Sequence, residues 1–445
     1  MTELTDTICA IASPPGQGGV GVIRISGPQS FIIAKAITGR APKPRRFHLS
    51  TVYDLKNTAI DQALVLAFAG PASFTGEDVV ELQTHGSPIA LELILRRLVE
   101  LGARRARPGE FSQRAYLNDR MDLTQAEAIA DLISAGSEQA ARAATRSLEG
   151  AFSKQVDALH ADLVALRVFV EAALDFPDED VDFLADGQVG ERLKIIIKRL
   201  DQLLDQARAG RLLSDGLRIA IVGKPNAGKS SLLNALTKED SAIVTDIPGT
   251  TRDVLRETVS LAGLPVTLAD TAGLRETHDA VEREGVRRAQ REMRAADLIF
   301  WVVDASDATE TDPHPPPGLP SNVPVLRINN KIDQQGLEAS RSDTAVNLSA
   351  LNGAGLELLE NLVKETLGLN IQGGGEFSAR QRHVDALIKS RVPLARGADE
   401  LEATGSGELL AEELKQAADD LSEITGKMSS DELLGEIFSS FCIGK

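Results

Sequence analysis

The run Gly223-Lys-Pro-Asn-Ala-Gly228-Lys229-Ser230 has the spacing of a phosphate-binding loop. Such a loop works because glycines let successive backbone N–H groups curl around phosphate oxygens. Asn226, Ala227, Gly228 and Ser231 belong to that cradle. Lys229 sets a cation against the β and γ oxygens, and Ser230 offers a hydroxyl to Mg2+. Downstream, Asp270-Thr271-Ala272-Gly273 supplies a carboxylate that can hold the metal through water and an N–H for the γ-phosphate, a loop sensitive to hydrolysis. Asn330-Lys331-Ile-Asp333 brings a carboxylate that can accept from both N1–H and the 2-amino group of guanine. Adenine offers neither donor, so the motif selects GTP by leaving polar groups unpaired with the wrong base. Ser349-Ala350 fits the last base-contacting loop. Between the first two motifs lie Thr245, Asp246, Ile247, Pro248, Gly249, Thr250 and Thr251, followed by Arg252 and Asp253. There Thr250 or Thr251 can close on Mg2+ when the γ-phosphate is present, giving a switch segment.

These residues need strands that end where the motifs begin. RIAIVG precedes the phosphate loop and KSSLLNALT follows it as a helix; VTLAD, LIFWVVDA and VPVLRINN lead into the remaining motifs. Strands alternating with helices predict a parallel sheet wrapped by helices, with ligands at the carboxyl ends of the strands. One position is unusual. Ras-like enzymes place a water-orienting Gln directly after Asp-x-x-Gly, and here Leu274 stands there. Leucine cannot hydrogen-bond the attacking water, so hydrolysis is slow or another group serves. Arg252 and Arg275 are candidates for supplying charge by position alone.

Around this α/β segment the pattern changes. Residues 4 to about 120 read as mixed α/β, with TICAIAS, VGVIRIS and DQALVLAF as strands and SPIALELILRRLVELGA as a helix. Gly16, Gly18 and Gly21 have dinucleotide-site spacing, but a strand-like run follows them where that motif needs a helix, so they read as a strand-to-strand turn. Helical patterns run from Asp119 to about Ala209, opened by a capping-box spacing at Thr124 and Glu127 and interrupted by an acidic loop at 175–183. A proline-rich surface loop is expected at 314–320 and a glycine linker at 373–375, after which helical sequence returns. The expected organisation is an N-terminal α+β domain over 1–119, a discontinuous helical domain over 120–216 and 375–445, and the nucleotide domain over 217–374 inserted into it.

The formal net charge of −17 argues against indiscriminate adhesion to nucleic acid. A local cluster of Arg104, Arg105, Arg107 and Arg114 is either a specific RNA contact or a solvated turn. Only Cys9 and Cys442 occur, far apart in sequence, which offers neither a disulfide framework nor a zinc spacing and suits a reducing cytoplasm. No secretory signal or membrane-spanning run is visible.

The chain resembles the tRNA-modification GTPase family MnmE, also called TrmE, over nearly its whole length. The resemblance rests on PPGQGGVGVIRISG near the start, SFTGEDVVELQTHG, PGEFSQRAYLNDRMDLTQAEAIADLI, the phosphate-loop domain with GTTRD, and the terminal Phe-Cys-Ile-Gly-Lys. It implies a homodimer formed through the N-terminal domain, which binds a 5-formyl- or methylene-tetrahydrofolate. It also implies a flavoprotein partner similar to MnmG, action on the 5-position of the wobble uridine of certain tRNAs, and hydrolysis stimulated by K+ in place of an arginine finger. Carried over by position, K+ would take Asn226, Thr245, Ile247 and Thr250, and Mg2+ would take Ser230 and Thr251. Glu282 would replace the missing Gln, acting through a bridging water. Folate would take Arg24, Glu81, Arg120 and Lys445. Cys442 would be a reactive thiol with Lys445 beside it; a thiol buried against Phe438 and Phe441 is the plainer reading. Two positions depart from the family pattern: Arg120 stands where Lys is usual, and Ser87 where a second Gly is usual. The competing functional class is an Era-like ribosome-assembly switch, which would need a basic RNA-binding module.

Overall fold

The computed structural model describes residues 6–175, 188–239, 256–261, 264–270, 290–306, 316, 318–321, 323–367, 377–427 and 430–444. The chain divides into two compact units, Met1–Ala130 with Ser422–Lys445, and Asp131–Leu421.

The first unit is built on a six-stranded sheet. Strands β1 (Ile8–Ile11), β2 (Gly18–Ser26), β3 (Phe47–Tyr53), β4 (Ala59–Phe68), β5 (Val79–Gly86) and β6 (Arg104–Arg105) lie in the order β3-β4-β5-β2-β1-β6, antiparallel except for β1 beside β6. Alternation along β2 and β5 turns Ile23, Ile25, Val80 and Leu82 toward one face, where they pack with Ile33 and Ile37 of α1 (Ser30–Thr38) and Leu91, Ile94 and Leu98 of α2 (Pro88–Glu100). The period of two then sends Arg24 and Glu81 to the opposite face. A strand, not a helix, follows Gly16, but Gly18 opens β2 and Gly21 lies inside it, so only Gly16 belongs to the expected turn. Ser87, the family departure, caps α2: its hydroxyl accepts from Ala90 N at 3.4 Å, with an ordinary extended backbone.

The same unit holds α3 (Glu110–Leu117) and, from the far end of the sequence, α12 (Asp431–Ser439). Tyr116 packs with Leu434, Phe438 and Phe441, and Gly109 N donates to Cys442 O at 3.4 Å. Gly109 has a φ of 65°, and a Cβ there would lie 2.4 Å from Phe438 O, so only glycine allows this approach. Beyond it Gly444 lies against β1: its Cβ would be 2.3 Å from Ile11 O.

The second unit contains helices α5 (Glu138–Leu148), α6 (Ala151–Asp175), α7 (Gln188–Ser214) and α10 (Gln381–Thr404), with most of α11 (Gly407–Thr425). Helices from the two sides of the α/β segment pack together. Arg391 pairs with Asp201 at 2.9 Å, Ser378 N donates to Ser147 Oγ at 2.9 Å, and Arg380 pairs with Asp131 at 2.7 Å. The α/β segment is thus inserted into a helical domain. The expected cap of α4 (Leu123–Ser134) is displaced by two residues. Asp122, not Thr124, accepts from Gln125 N at 2.9 Å, and Gln125 Oε1 accepts from Asp122 N at 3.0 Å, because the carboxylate reaches the amide that the hydroxyl of a residue already inside the helix cannot.

The insert is a seven-stranded sheet: β7 (Leu217–Val222), β8 (Arg256–Leu261), β9 (Leu264–Asp270), β10 (Leu298–Asp304), β11 (Val325–Asn330), β12 (Ser340–Arg341) and β13 (Ala345–Asn347), ordered β12-β13-β11-β10-β7-β9-β8. The five inner strands are parallel and β8 and β12 are antiparallel edges. Ile219, Ile221, Phe300, Leu326 and Ile328 form its core with Leu232 of α8 (Lys229–Glu239) and Leu359 of α9 (Leu356–Thr366). Residues 176–183 of the expected acidic loop, residues 314, 315 and 317 of the proline-rich one and the linker at 373–375 lie outside the described residues, and Asp175 is the last residue of α6.

Candidate functional site

β7, β10 and β11 end side by side, and each delivers one motif. After β7 the loop turns through Gly223 (φ 154°), Asn226 (φ 64°) and Gly228 (φ 92°) before α8 begins at Lys229. Left-handed positions of this kind let a loop turn backbone N–H groups toward a helix N-terminus. Lys229 Nζ donates to the carbonyls of Gly223 and Lys224, both at 2.9 Å, so its ammonium spans the loop. Ser230 and Ser231 are exposed on the first turn of α8, while Ala227 is buried beneath the loop.

Asn330 joins the pieces. It is 2% exposed, and its Nδ2 donates to Ala227 O at 3.1 Å, while Oδ1 accepts from Lys331 N at 2.9 Å and Ala350 N at 3.0 Å. One buried amide therefore fastens the phosphate loop, the Asn-Lys-x-Asp turn and the Ser349-Ala350 loop. Ser349 Oγ donates to Asp333 Oδ1 at 2.5 Å, orienting an exposed carboxylate. The arrangement presents an acceptor for a purine edge at one end and amide donors for phosphates at the other. The two loops also pack closely: a Cβ on Gly228 would lie 2.1 Å from Asn330 Nδ2.

Asp304, at the end of β10, lies beside these motifs without belonging to any of them. It accepts from Lys331 Nζ at 2.5 Å and from Ser306 N and Oγ at 3.0 and 2.6 Å. Partial burial disfavours its charge, but the bonds from Lys331 and Ser306 outweigh that and hold the carboxyl below its ordinary range. Its signal in sequence was an Asp closing an apolar strand that lies next to the guanine motif.

Asp270 ends β9 as expected. Thr245, Asp246, Ile247, Pro248, Gly249, Thr250, Thr251, Thr271, Ala272, Gly273 and Glu282, with Arg252, Leu274 and Arg275, lie outside the described residues, as does Lys445.

In the first unit the structure brings Arg24 and Glu81 together as direct cross-strand partners, with Nε 2.9 Å from Glu81 Oε1. The Arg24 guanidinium lies 5.1 Å from the Phe74 ring and 5.7 Å from that of Phe111. Its Nη1 donates to Gly444 O at 3.5 Å, so the C-terminal segment reaches this pair. Arg120 is exposed, with its stem close to Gly76; among the described residues no hydrogen bond or ion pair joins it to Arg24 or Glu81. Cys442 is exposed while Phe438 and Phe441 are buried, so the buried-thiol reading does not hold: the residue points out of the cluster that its neighbours fill. Cys9, by contrast, is buried in the sheet, which pushes its thiol up to about 12 against the opposing pull of Arg105 and Arg104.

The arginine cluster is paired with carboxylates, and the fully buried Arg114 is not part of a solvated turn. Arg114 is fully buried and bonds Asp6, Glu77 and Glu110, at 2.7, 3.1 and 3.3 Å. Arg104 bonds Glu110 at 2.6 Å and Asp6 at 2.7 Å, and Arg105 pairs with Glu92. Carboxylates neutralise the cluster internally. Burial alone would raise the Glu110 carboxyl, yet Arg104, the Arg107 backbone and Arg114 hold it down at about 2.

Residues 123–442 match the family model of the MnmE helical domain, and residues 7–120 match that of the GTP-binding protein TrmE N-terminus. The chain belongs to the MnmE family. The tRNA modification GTPase MnmE of Marinobacter nauticus is 50% identical over 456 residues, covering 100% of both chains. That of Chromohalobacter salexigens is 52% identical over 450 residues, covering 99% of this chain and 98% of the relative. Among solved structures, an Era variant from Aquifex aeolicus bound to GDP and aluminium fluoride is 27% identical over 40% of this chain and 66% of its own, with a TM-score of 0.25. MnmE membership carries the class of activity, GTP hydrolysis in tRNA modification, on a P-loop GTPase domain. Among the described residues no helix is long and apolar enough to cross a membrane.

Proposed function

We propose that this MnmE-family GTPase binds GTP and GDP at the β7–β10–β11 strand ends and hydrolyses GTP in a K+-stimulated, dimerisation-dependent cycle. With a flavoprotein similar to MnmG it modifies the 5-position of the wobble uridine in certain tRNAs, using a one-carbon unit from a tetrahydrofolate. The single observation that carries the nucleotide reading is the Asn330 amide fastened to both Ala227 and Ala350.

In this reading the loop amides and Lys229 hold the triphosphate, Ser230 and Thr251 hold Mg2+, and Asp333 accepts from the guanine edge. The exposed Ser230 at the start of α8 fits a hard cation, and Asn226, exposed with its left-handed φ at the lip of the loop, fits one K+ ligand beside Thr245, Ile247 and Thr250. The two cations supply positive charge where the phosphate oxygens gather negative charge in the transition state. Glu282 orients the attacking water in place of a Gln. Cys442, exposed near the C-terminus, supplies a nucleophile. Arg24, framed by Phe74 and Phe111 and paired with Glu81, suits an anionic, aromatic ligand such as a folate, with Arg120 and Lys445 at its margin.

Turnover compared in KCl and NaCl tests the cation: equal rates remove the K+ proposal. Wobble nucleosides from cells lacking the protein test the pathway: unmodified uridine at that position is the expected result, and a normal nucleoside profile contradicts it. An Era-like assembly switch would need a basic RNA-binding module, and the chain is acidic, with its Arg104–Arg114 cluster paired to carboxylates.

A further inference from the structure

We infer that Glu77 and Arg114 are positioning residues of the Arg24 site: their ion pair fastens the loop 73–77, which sets Phe74 against the Arg24 guanidinium. This rests on the folate reading above.

Two of the residues expected to meet folate lean on this one loop. The Phe74 ring lies 5.1 Å from the Arg24 guanidinium. Two residues on, a Cβ built on Gly76 would lie 3.2 Å from Arg120 Cγ. The loop belongs to no helix or strand, so side chains must hold it. Ser73 Oγ donates to Glu77 O at 2.5 Å and closes the loop on itself, while Asn118 Nδ2, just past α3, donates to Thr75 O at 2.7 Å. The Glu77 carboxylate turns inward, where Arg114 Nη1 donates to Oε1 at 3.1 Å and to Oε2 at 3.3 Å. Ser26 Oγ lies 2.6 Å from Oε2 and 2.7 Å from Thr75 Oγ1. A carboxylate paired with a guanidinium only accepts, so Ser26 donates to Glu77 and Thr75 in turn donates to Ser26. Ser26 stands two residues beyond Arg24 on β2, so one strand carries the guanidinium and anchors the loop beside it.

Arg114 is fully buried on α3, and a guanidinium out of water needs its carboxylates. Asp6 and Glu110 hold it from elsewhere in the unit, and Nη1 also donates to Asp6 O at 2.8 Å. Of its three acidic partners only Glu77 lies in the loop. The ion pair therefore passes the rigidity of α3 and the N-terminal segment to Phe74. A ring held in place keeps the Arg24 guanidinium oriented by cation–π attraction, beside its pairing with Glu81. Ordering loop and guanidinium before the ligand arrives removes that cost from binding.

The test compares full-length wild type with Glu77→Gln, Ser26→Ala, Phe74→Leu and the Glu77→Gln/Phe74→Leu double variant. Affinities for 5-formyl-tetrahydrofolate and GDP are measured by calorimetric titration, and thermal unfolding is followed in parallel. Glu77→Gln is expected to raise the 5-formyl-tetrahydrofolate Kd about tenfold and Ser26→Ala about threefold, with the GDP Kd within about twofold, because preorganisation is lost at one site only. On the Phe74→Leu background the Glu77 change should add less than about twofold, since the pair acts through that ring. An unaltered folate Kd in Glu77→Gln overturns the inference. So does an equal loss on the Phe74→Leu background, which would mean that the pair acts through the fold at large. Should Glu77→Gln fail to fold, Ser26→Ala decides: a raised Kd supports the inference and an unaltered one overturns it. These outcomes leave the folate reading standing if wild type binds 5-formyl-tetrahydrofolate. Wild type without saturable binding overturns that reading and this inference together.

Discussion

Asn330 Nδ2 lies 3.1 Å from the carbonyl oxygen of Ala227, so the guanine motif is fastened to the floor of the phosphate loop. Asn330→Ala would leave Ala227 O and the Ala350 amide without their partner in a buried place. We expect a loss of about 1–3 kcal/mol in stability and a fall in GTP affinity of at least tenfold, on the order of 1.4 kcal/mol. Urea denaturation and equilibrium nucleotide titration check both.

Gly228→Ala places a methyl group against the same amide. The Cβ would stand 2.1 Å from Asn330 Nδ2, at a φ of 92° that disfavours L-residues. Either the loop or Asn330 must move, and each movement breaks the phosphate cradle. GTP binding measured by isothermal titration should be lost, while thermal unfolding still shows a folded chain.

Gly109→Ala acts in the first unit, not in the nucleotide domain. Its Cβ would lie 2.4 Å from Phe438 O, so α12 and the segment after it must shift, carrying Gly444 away from Arg24. Tetrahydrofolate affinity should fall by an order of magnitude, about 1.4 kcal/mol, with GTP affinity unchanged. Parallel titrations with 5-formyl-tetrahydrofolate and GDP check this.

Acid should weaken the first unit through Glu110. Its carboxyl ionises near 4.5 when unfolded and at about 2 when folded. The stabilisation is fully present above pH 4.5 and is lost as pH falls from there toward 2. A shift of that size corresponds to about 3 kcal/mol. Glu110→Gln should be destabilised at pH 7, and its deficit relative to wild type should shrink between pH 4.5 and 2 in denaturant titrations.

The nucleotide domain was legible because its chemistry is local. Each motif sits in a short run after an apolar strand, and strand order follows from parallel connections, so Gly228, Asn330 and Asp333 could be read together. The cap of α4 was misplaced because Asp122 and Thr124 both begin acceptable boxes, and only geometry shows which side chain reaches an amide. The arginine cluster was ambiguous because its partners are distant in sequence: Asp6 and Glu77 meet Arg114 only through the sheet. The approach of Gly444 to Arg24, a contact across most of the chain, could be expected only from the family resemblance that groups Arg24 with Lys445. Asp304 lies near its partner in space but 27 residues away in sequence, and no periodicity announces such a pair.

Base selection rests on Asp333. Equilibrium affinities for GTP, ATP and xanthosine triphosphate, measured with Mg2+ for wild type and Asp333→Asn, test it most directly. Wild type should prefer GTP over ATP by at least about a hundredfold. Asp333→Asn should transfer the preference to xanthosine triphosphate, whose 2-carbonyl accepts from the new amide. Equal affinity of wild type for ATP and GTP, or an unchanged preference in Asp333→Asn, would contradict the account.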